Sequence, residues 1–216
     1  MPADAAEARA TMVERQLRQH GIADERVLAA MGRVPRERFF LEEVRRFAYE
    51  DGAFPIGHGQ MISQPFIVAK ICELLALTGT ERVLDVGTGS GYQAAVLAEL
   101  GGEVVTIERV PELAARARAS LAEAGYERVE VRVGDGSLGV PERAPFDAIA
   151  VAAAAPAVPV ALYEQLAEGG RLVVPRGSRW GQELVLVMRG PEGPVERASI
   201  PCRFVPLVGS EGFAGG

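Results

Sequence analysis

The sequence is short of what a disulfide scaffold, a metal centre or a nucleophilic thiol would need. Its 216 residues hold two cysteines, Cys72 and Cys202. They are far apart and without metal-ligand spacing, so neither a disulfide framework nor a metal site is expected, and reduced thiols in a cytosol fit better. Neither has a histidine pattern that would make it a nucleophile. Only two histidines occur. His20, beside Gly21, is expected at a helix C-terminus, where the dipole favours it, and His58 is expected to pack within its loop. Positive charge is also in deficit. The net charge is −6, which argues against a general nucleic-acid or anionic-membrane partner, because either needs a cationic face. Arg33, Arg36, Arg38, Arg45 and Arg46 do cluster, but acids interrupt them, and the group reads as solvated surface. Long apolar runs are missing too. The longest, Ala148 to Leu162, is fifteen residues with two prolines, against the ~20 of a membrane span. The acidic, amphipathic start shows no apolar signal-peptide core. Repeats and low-complexity tracts are absent, and the length suggests one compact domain, with a small appendage at most.

What is present falls into two textures. The first sixty residues read as mostly helical. Met12 and Leu17 lie at helical spacing with Gly21 as a C-cap. Asp24 can N-cap a second helix with Val27, Leu28 and Met31 on its apolar face, ended by Val34-Pro35. Residues 49–61 read as an irregular or short extended connection. Pro65 suits the first turn of a helix running to Leu75. From Arg82 strands and helices alternate. RVLDVG is a buried strand, residues 92–100 a helix, EVVTIE a strand and residues 111–124 a helix. RVEVRV and FDAIAVAA are strands, residues 160–166 a short helix, and RLVVP a fifth strand. This rhythm predicts a parallel sheet covered on both faces. QELVLVMR and residues 195–205, joined through Gly190-Pro191-Glu192-Gly193-Pro194, break the rhythm as an antiparallel hairpin. The expected division is an N-terminal helical cap with a loop, 1–64, and an α/β core, 65–216.

The strongest local signal is Asp85-Val86-Gly87-Thr88-Gly89-Ser90-Gly91, closing a strand and opening a helix. Glycines there allow a tight turn and close approach of a ligand to backbone N–H groups. The next strand ends in Glu108, placed to accept hydrogen bonds from ribose hydroxyls. A dinucleotide fingerprint needs its third glycine one residue later, where Tyr92 stands. No Lys-Ser/Thr follows, so a phosphate-binding P-loop is excluded. The carboxylate of Asp85 would sit poorly beside a pyrophosphate and well beside an ammonium group. S-adenosylmethionine has an ammonium, a sulfonium and a ribose, and no phosphate. The pattern resembles motif I of class I methyltransferases, with Glu108 as their ribose-binding acid and Gly134-Asp135-Gly136 where they often contact adenine. Residues 151–156, VAAAAP, lack the Asn-Pro-Pro-Tyr type of motif expected for base N-methylation.

A second stretch, GHGQMISQPF at residues 57–66, holds one hydroxyl, Ser63, and no lysine or arginine occurs from Asp51 to Ala69. An amine or hydroxyl acceptor must lose a proton on methylation, so a base helps. A carboxylate, ~99.9% ionised at pH 7 on a pKa of ~3.9, needs none. Its reaction with a sulfonium removes charge, so a strong cationic clamp on the acceptor would favour reactants over transition state. A neutral hydroxyl on a loop stiffened by Pro65 and loosened by Gly57 and Gly59 suits that chemistry. Ser63 could equally N-cap the helix after Pro65.

These stretches, with VPRERF, AYEDGAFPIG, FDAIAVAAAAPAVP and the terminal FVPLVG, resemble the protein-L-isoaspartate O-methyltransferase family over residues 12–208. The resemblance implies a Rossmann-like class I methyltransferase fold, α/β with a doubly wound, mostly parallel sheet. It implies S-adenosylmethionine-dependent methylation of the α-carboxyl of L-isoaspartyl residues in damaged proteins and peptides. The ester then closes to a succinimide that partly reopens to aspartate. It implies Ser63 as the active-site residue. It places the cofactor on Asp85, Gly87, Thr88, Gly89, Ser90, Gly91, Glu108, Arg109, Asp135 and Gly136. It places the substrate on Met61, Ile62, Ser63, Val68, Val205, Pro206, Leu207 and Val208. No metal, nucleic acid or membrane is expected, and a cytoplasmic monomer is. Gln64 and Phe66 stand where animal members carry Ala and His, which bears on peptide preference. A methyltransferase of small molecules or RNA, and a non-catalytic binder of altered peptides, remain the alternatives.

Overall fold

The computed structural model describes residues 2–214, with side chains from Ala5 onward. Strands covered on both faces need near-continuous apolar runs, and the sequence supplies them in β3 (Arg82–Val86), β4 (Glu103–Glu108) and β6 (Phe146–Val151). With β5 (Glu130–Val133), β7 (Leu166–Gly177), β8 (Gln182–Gly190) and β9 (Gly193–Cys202) they form a seven-stranded sheet in the order β5-β4-β3-β6-β7-β8-β9. The first five of these run parallel, and β8 and β9 are antiparallel to their neighbours. The α/β, mostly parallel expectation and the terminal hairpin both hold. Several boundaries move. The strand expected from Arg128 starts at Glu130, and the last strand spans 193–202 rather than 195–205. The helix expected over 160–166 stops at Glu164, and Leu166 already pairs with Phe146 in β7.

After β3 the chain moves outward to β4 and β5, then returns to the other side of β3 as β6. The carboxyl ends of β3 and β6 therefore flank a topological switch point, where open α/β sheets bind ligands. Helices α4 (Tyr92–Leu100), α5 (Pro111–Glu123) and α6 (Val160–Glu164) connect these strands, and α3 (Pro65–Leu75) precedes them.

The N-terminal segment packs into the same core. Helix α1 (Pro2–Met12) continues as a π-helical turn over residues 13–17 and a 3-10 turn over 18–20. The i→i+5 geometry of a π turn suits Met12 and Leu17, which are five apart and both fully buried. Gly21 ends the run at φ +94°. Asp24 caps α2 (Glu25–Arg33), its Oδ1 accepting from the N–H of Arg26 at 2.8 Å and of Val27 at 3.3 Å. Met12, Leu17, Met31 and Phe39 share one apolar cluster with Val68, Ile71, Ala94 and Leu97 of α3 and α4. The connection over 49–61 contains a small hairpin, β1 (Phe54–Gly57) and β2 (Gln60–Ile62). Arg116 of α5 donates to the Ile56 carbonyl, and Ile56 is buried against the glycine loop, where a Cβ on Gly89 would lie 3.3 Å from its Cδ1. The hairpin thus roofs the switch-point crevice.

Candidate active site

The glycine loop leaves β3 with Gly87, Gly89 and Gly91 all at positive φ. Gly91, the N-cap of α4, has φ +92°, and a Cβ there would meet Leu121 Cγ at 3.2 Å. Backbone conformation and close packing on α5 both require glycine at that point. Glu108, at the end of β4, closes the loop from the opposite side. Its Oε2 accepts from the Gly89 N–H at 2.9 Å and its Oε1 from the Val110 N–H at 3.0 Å. Each oxygen keeps a lone pair for a further donor.

Between loop and tail lies a cleft of about 810 Å³, its open mouth included. Of the residues expected to hold the cofactor, 87–90, Glu108, Arg109 and Gly136 line it. Three expected cofactor residues do not: Asp85, Gly91 and Asp135 are absent from the wall. Asp85 is fully buried behind it, its Oδ1 accepting from Gln93 Nε2 at 2.8 Å and its Oδ2 from Thr106 Oγ1 at 2.8 Å. Burial raises its pKa to about 6, against the two hydrogen bonds and with a further push from Glu108. The residue that reaches the cleft in its place is Gln93. Gln93 Oε1 is buried and has no hydrogen-bond partner. Asp135 turns toward the tail, accepting from the Ser137 N–H and hydroxyl at 2.9 and 2.7 Å and from the Ser210 N–H at 2.8 Å. Burial pushes its pKa up, but these bonds outweigh it and hold the carboxyl below its ordinary range.

A second cleft adjoins the first. It is lined by Gln64, Ile67, Cys202, Arg203 and Phe204 among others, and shares Met61, Ser63, Ala152 and Val205 with the first. Ser63 therefore stands at the junction. Ile62, Val68, Pro206, Leu207 and Val208, expected on the substrate side, line the first cleft and not the second. The tail is held there by the segment that follows β6, since the Ala154 N–H donates to the Val205 carbonyl at 2.8 Å and the Leu207 N–H to the Ala154 carbonyl at 2.7 Å. Ser63 does not cap α3; Gln64 occupies the N-cap position, with no side-chain capping bond. His58 does not pack within its loop. It sits exposed at φ +53° in the turn of the β1–β2 hairpin. His20 ends its 3-10 turn as expected, with Nδ1 2.9 Å from the Arg15 carbonyl.

One arginine of the presumed solvated cluster is fully buried. Arg36 donates through Nε to the Ala48 carbonyl at 2.8 Å and through Nη2 to the Ser63 carbonyl at 2.8 Å. Its guanidinium lies 4.5 Å from the ring centroid of Tyr92. Burial pulls its pKa below the usual value, with Tyr92 and Tyr49 opposing.

Among the described residues no group of three or more His, Cys, Asp or Glu could hold a metal ion, and no helix is long and apolar enough to cross a membrane. Cys72 and Cys202 are both free thiols.

The sequence profile of protein-L-isoaspartate(D-aspartate) O-methyltransferases matches residues 8–212. Protein-L-isoaspartate O-methyltransferase 2 of Marinobacter nauticus is 57% identical over 212 residues, covering 97% of each chain. A solved protein-L-isoaspartate O-methyltransferase superposes with a TM-score of 0.83 at 29% identity, over 94% of this chain and 66% of that one. A Plasmodium falciparum chain bearing the same name, solved with S-adenosyl-L-homocysteine, gives 0.81 at 26% identity over 93% of this chain and 98% of its own. A glycine loop and a neighbouring acid at the switch point, and a lone hydroxyl where two clefts meet, agree with these matches: the chain belongs to the protein-L-isoaspartate(D-aspartate) O-methyltransferase family.

Proposed function

We propose that the chain methylates the α-carboxyl of L-isoaspartyl residues in damaged proteins and peptides, using S-adenosylmethionine, and so starts their repair to aspartyl. The observation that carries this reading is the position of Ser63, shared by the cleft that the glycine loop and Glu108 line and by a second cleft. The residues of the first cleft fit S-adenosylmethionine. Gln93 Oε1 is an unpaired buried acceptor suited to an ammonium. Glu108 has free lone pairs suited to ribose hydroxyls, and Val86, Ile107 and Val110 offer apolar walls. Bound there, the cofactor supplies a methyl group on a positively charged sulfur.

The chain's own work is then alignment. The Ser63 hydroxyl donates a hydrogen bond to the acceptor carboxylate, which reaches it through the second cleft already ionised. No base is required, and neither histidine lines either cleft. The β1–β2 roof limits water. Holding two reactants in line in this way is worth ~7–11 kcal/mol. We take the protein to act on protein and peptide substrates as one compact monomer in the cytoplasm, a reducing compartment with which its free thiols agree.

The test offers methyl-labelled S-adenosylmethionine with an isoaspartyl peptide, the matching aspartyl peptide, RNA and a small phenol. Base-labile label in the isoaspartyl peptide alone is expected. Label in RNA or the phenol, or tight peptide binding without label, would contradict the reading.

A further inference from the structure

Arg36 is a buried cation whose hydrogen-bond acceptors are both backbone carbonyls. None of the ion pairs among the described residues includes it. Its Nη1 is buried without any partner. A buried charge with no ionic partner is costly to keep, and the Tyr92 and Phe40 rings, 4.5 and 5.3 Å from its guanidinium, offset that cost only in part. A fold that keeps such a charge directly behind Ser63 does so at a cost to stability, and the missing negative charge points to a ligand.

The backbone shows how the charge acts. Arg36 draws the Ser63 carbonyl toward itself. In a planar trans peptide the N–H of the next residue points the opposite way, so the Gln64 N–H points away from Arg36, and Ser63 and Gln64 both line the second cleft. That N–H has no acceptor among the described residues, and it stands at the N-terminus of the eleven-residue α3.

We propose that Arg36 is a positioning residue: it supplies the buried counter-charge for the acceptor carboxylate and aims the Gln64 N–H at it, without touching it. This rests on the isoaspartyl reading above. Because the cation stays behind the peptide plane, it strengthens binding of the anion and does not drive methyl transfer. A reaction that consumes charge gains nothing in rate from a nearby cation.

Calorimetry decides it, with S-adenosylhomocysteine-loaded full-length protein and two peptides: the isoaspartyl peptide and the same peptide with its free α-carboxyl converted to a carboxamide. Wild type is expected to prefer the carboxylate by about tenfold or more, and Arg36→Gln to lose most of that preference. Arg36→Lys should restore it. In turnover, Arg36→Gln should raise KM with kcat unchanged or higher, while its affinity for S-adenosylhomocysteine stays within about twofold. Equal weakening of both peptides in Arg36→Gln, or a fall in kcat at unchanged KM, would reduce Arg36 to a scaffold residue and overturn the proposal. If Arg36→Gln does not fold, the wild-type preference and the Arg36→Lys value still decide, and equal wild-type affinity for the two peptides overturns it. Binding is read directly, so the result stands apart from whether label moves: a preference for the carboxylate without methyl transfer would sink the proposed reaction and leave Arg36 its role.

Discussion

Gln93 Nε2 donates to Asp85 Oδ1 at 2.8 Å, so the acid of the glycine motif acts on the cleft through an amide. The bond fixes which way the Gln93 amide faces and leaves Oε1 as its free acceptor. Thr106 donates to the other oxygen of Asp85, and Thr88 lies 2.7 Å from the Thr106 hydroxyl, so the carboxylate also braces the glycine loop.

Asp85→Asn should therefore disturb the cofactor and spare the peptide. An asparagine cannot accept from Gln93 and Thr106 with both side-chain atoms. We expect affinity for S-adenosylhomocysteine to fall by about tenfold, read by titration calorimetry, with peptide KM within about twofold at saturating cofactor. Unchanged cofactor affinity would remove the Asp85–Gln93 relay.

The same residue sets a pH dependence of stability. An unfolded aspartate loses its proton near pH ~4, whereas burial raises folded Asp85 to about 6. Between those values the folded chain binds more protons than the unfolded one. Its contribution is therefore fully present at low pH and is lost as pH rises through that window. Denaturant unfolding from pH 4 to 7 should show wild type losing on the order of 2 kcal/mol relative to Asp85→Asn. Parallel curves for the two proteins would place the titration elsewhere.

Much of this was legible in the sequence. Strands β3, β4 and β6 announce themselves because both of their faces are buried. The β1–β2 hairpin did not, because its strands are three and four residues long and one contains Pro55. The glycine loop and Glu108 were legible because local spacing carries their chemistry. Gln93 was not: a glutamine one position inside a helix carries no signal until the sheet sets Asp85 against it. Arg36 was misread because its neighbours Arg33 and Arg38 are solvent-exposed, and burial of one guanidinium among them is decided by Tyr92 and the Ser63 carbonyl, distant in sequence. Its burial puts a cation behind a loop whose own sequence has none.

Glu108→Gln tests the cofactor side of the first cleft. Its amide can accept only one of the two backbone N–H bonds, and its NH2 group would face the other donor. Affinity for S-adenosylhomocysteine should fall at least about tenfold by calorimetry, with the fold retained by circular dichroism. Wild-type affinity would show that Glu108 only closes the loop.

Ser63→Ala removes the hydroxyl at the junction while its carbonyl keeps the bond to Arg36. Turnover should drop about 10²-fold, with S-adenosylhomocysteine affinity within about twofold. Label-transfer kinetics with an isoaspartyl peptide read this directly. Unchanged turnover would take Ser63 out of the reaction.

The central claim is that the acceptor arrives already charged and needs alignment alone. Single-turnover methyl transfer, at saturating cofactor and isoaspartyl peptide, measures it across pH about 6.5 to 8.5, above the carboxylate range. A flat rate over that span is the expected result. A rate rising tenfold per pH unit would mean that a proton must be removed from the acceptor, and would contradict the account.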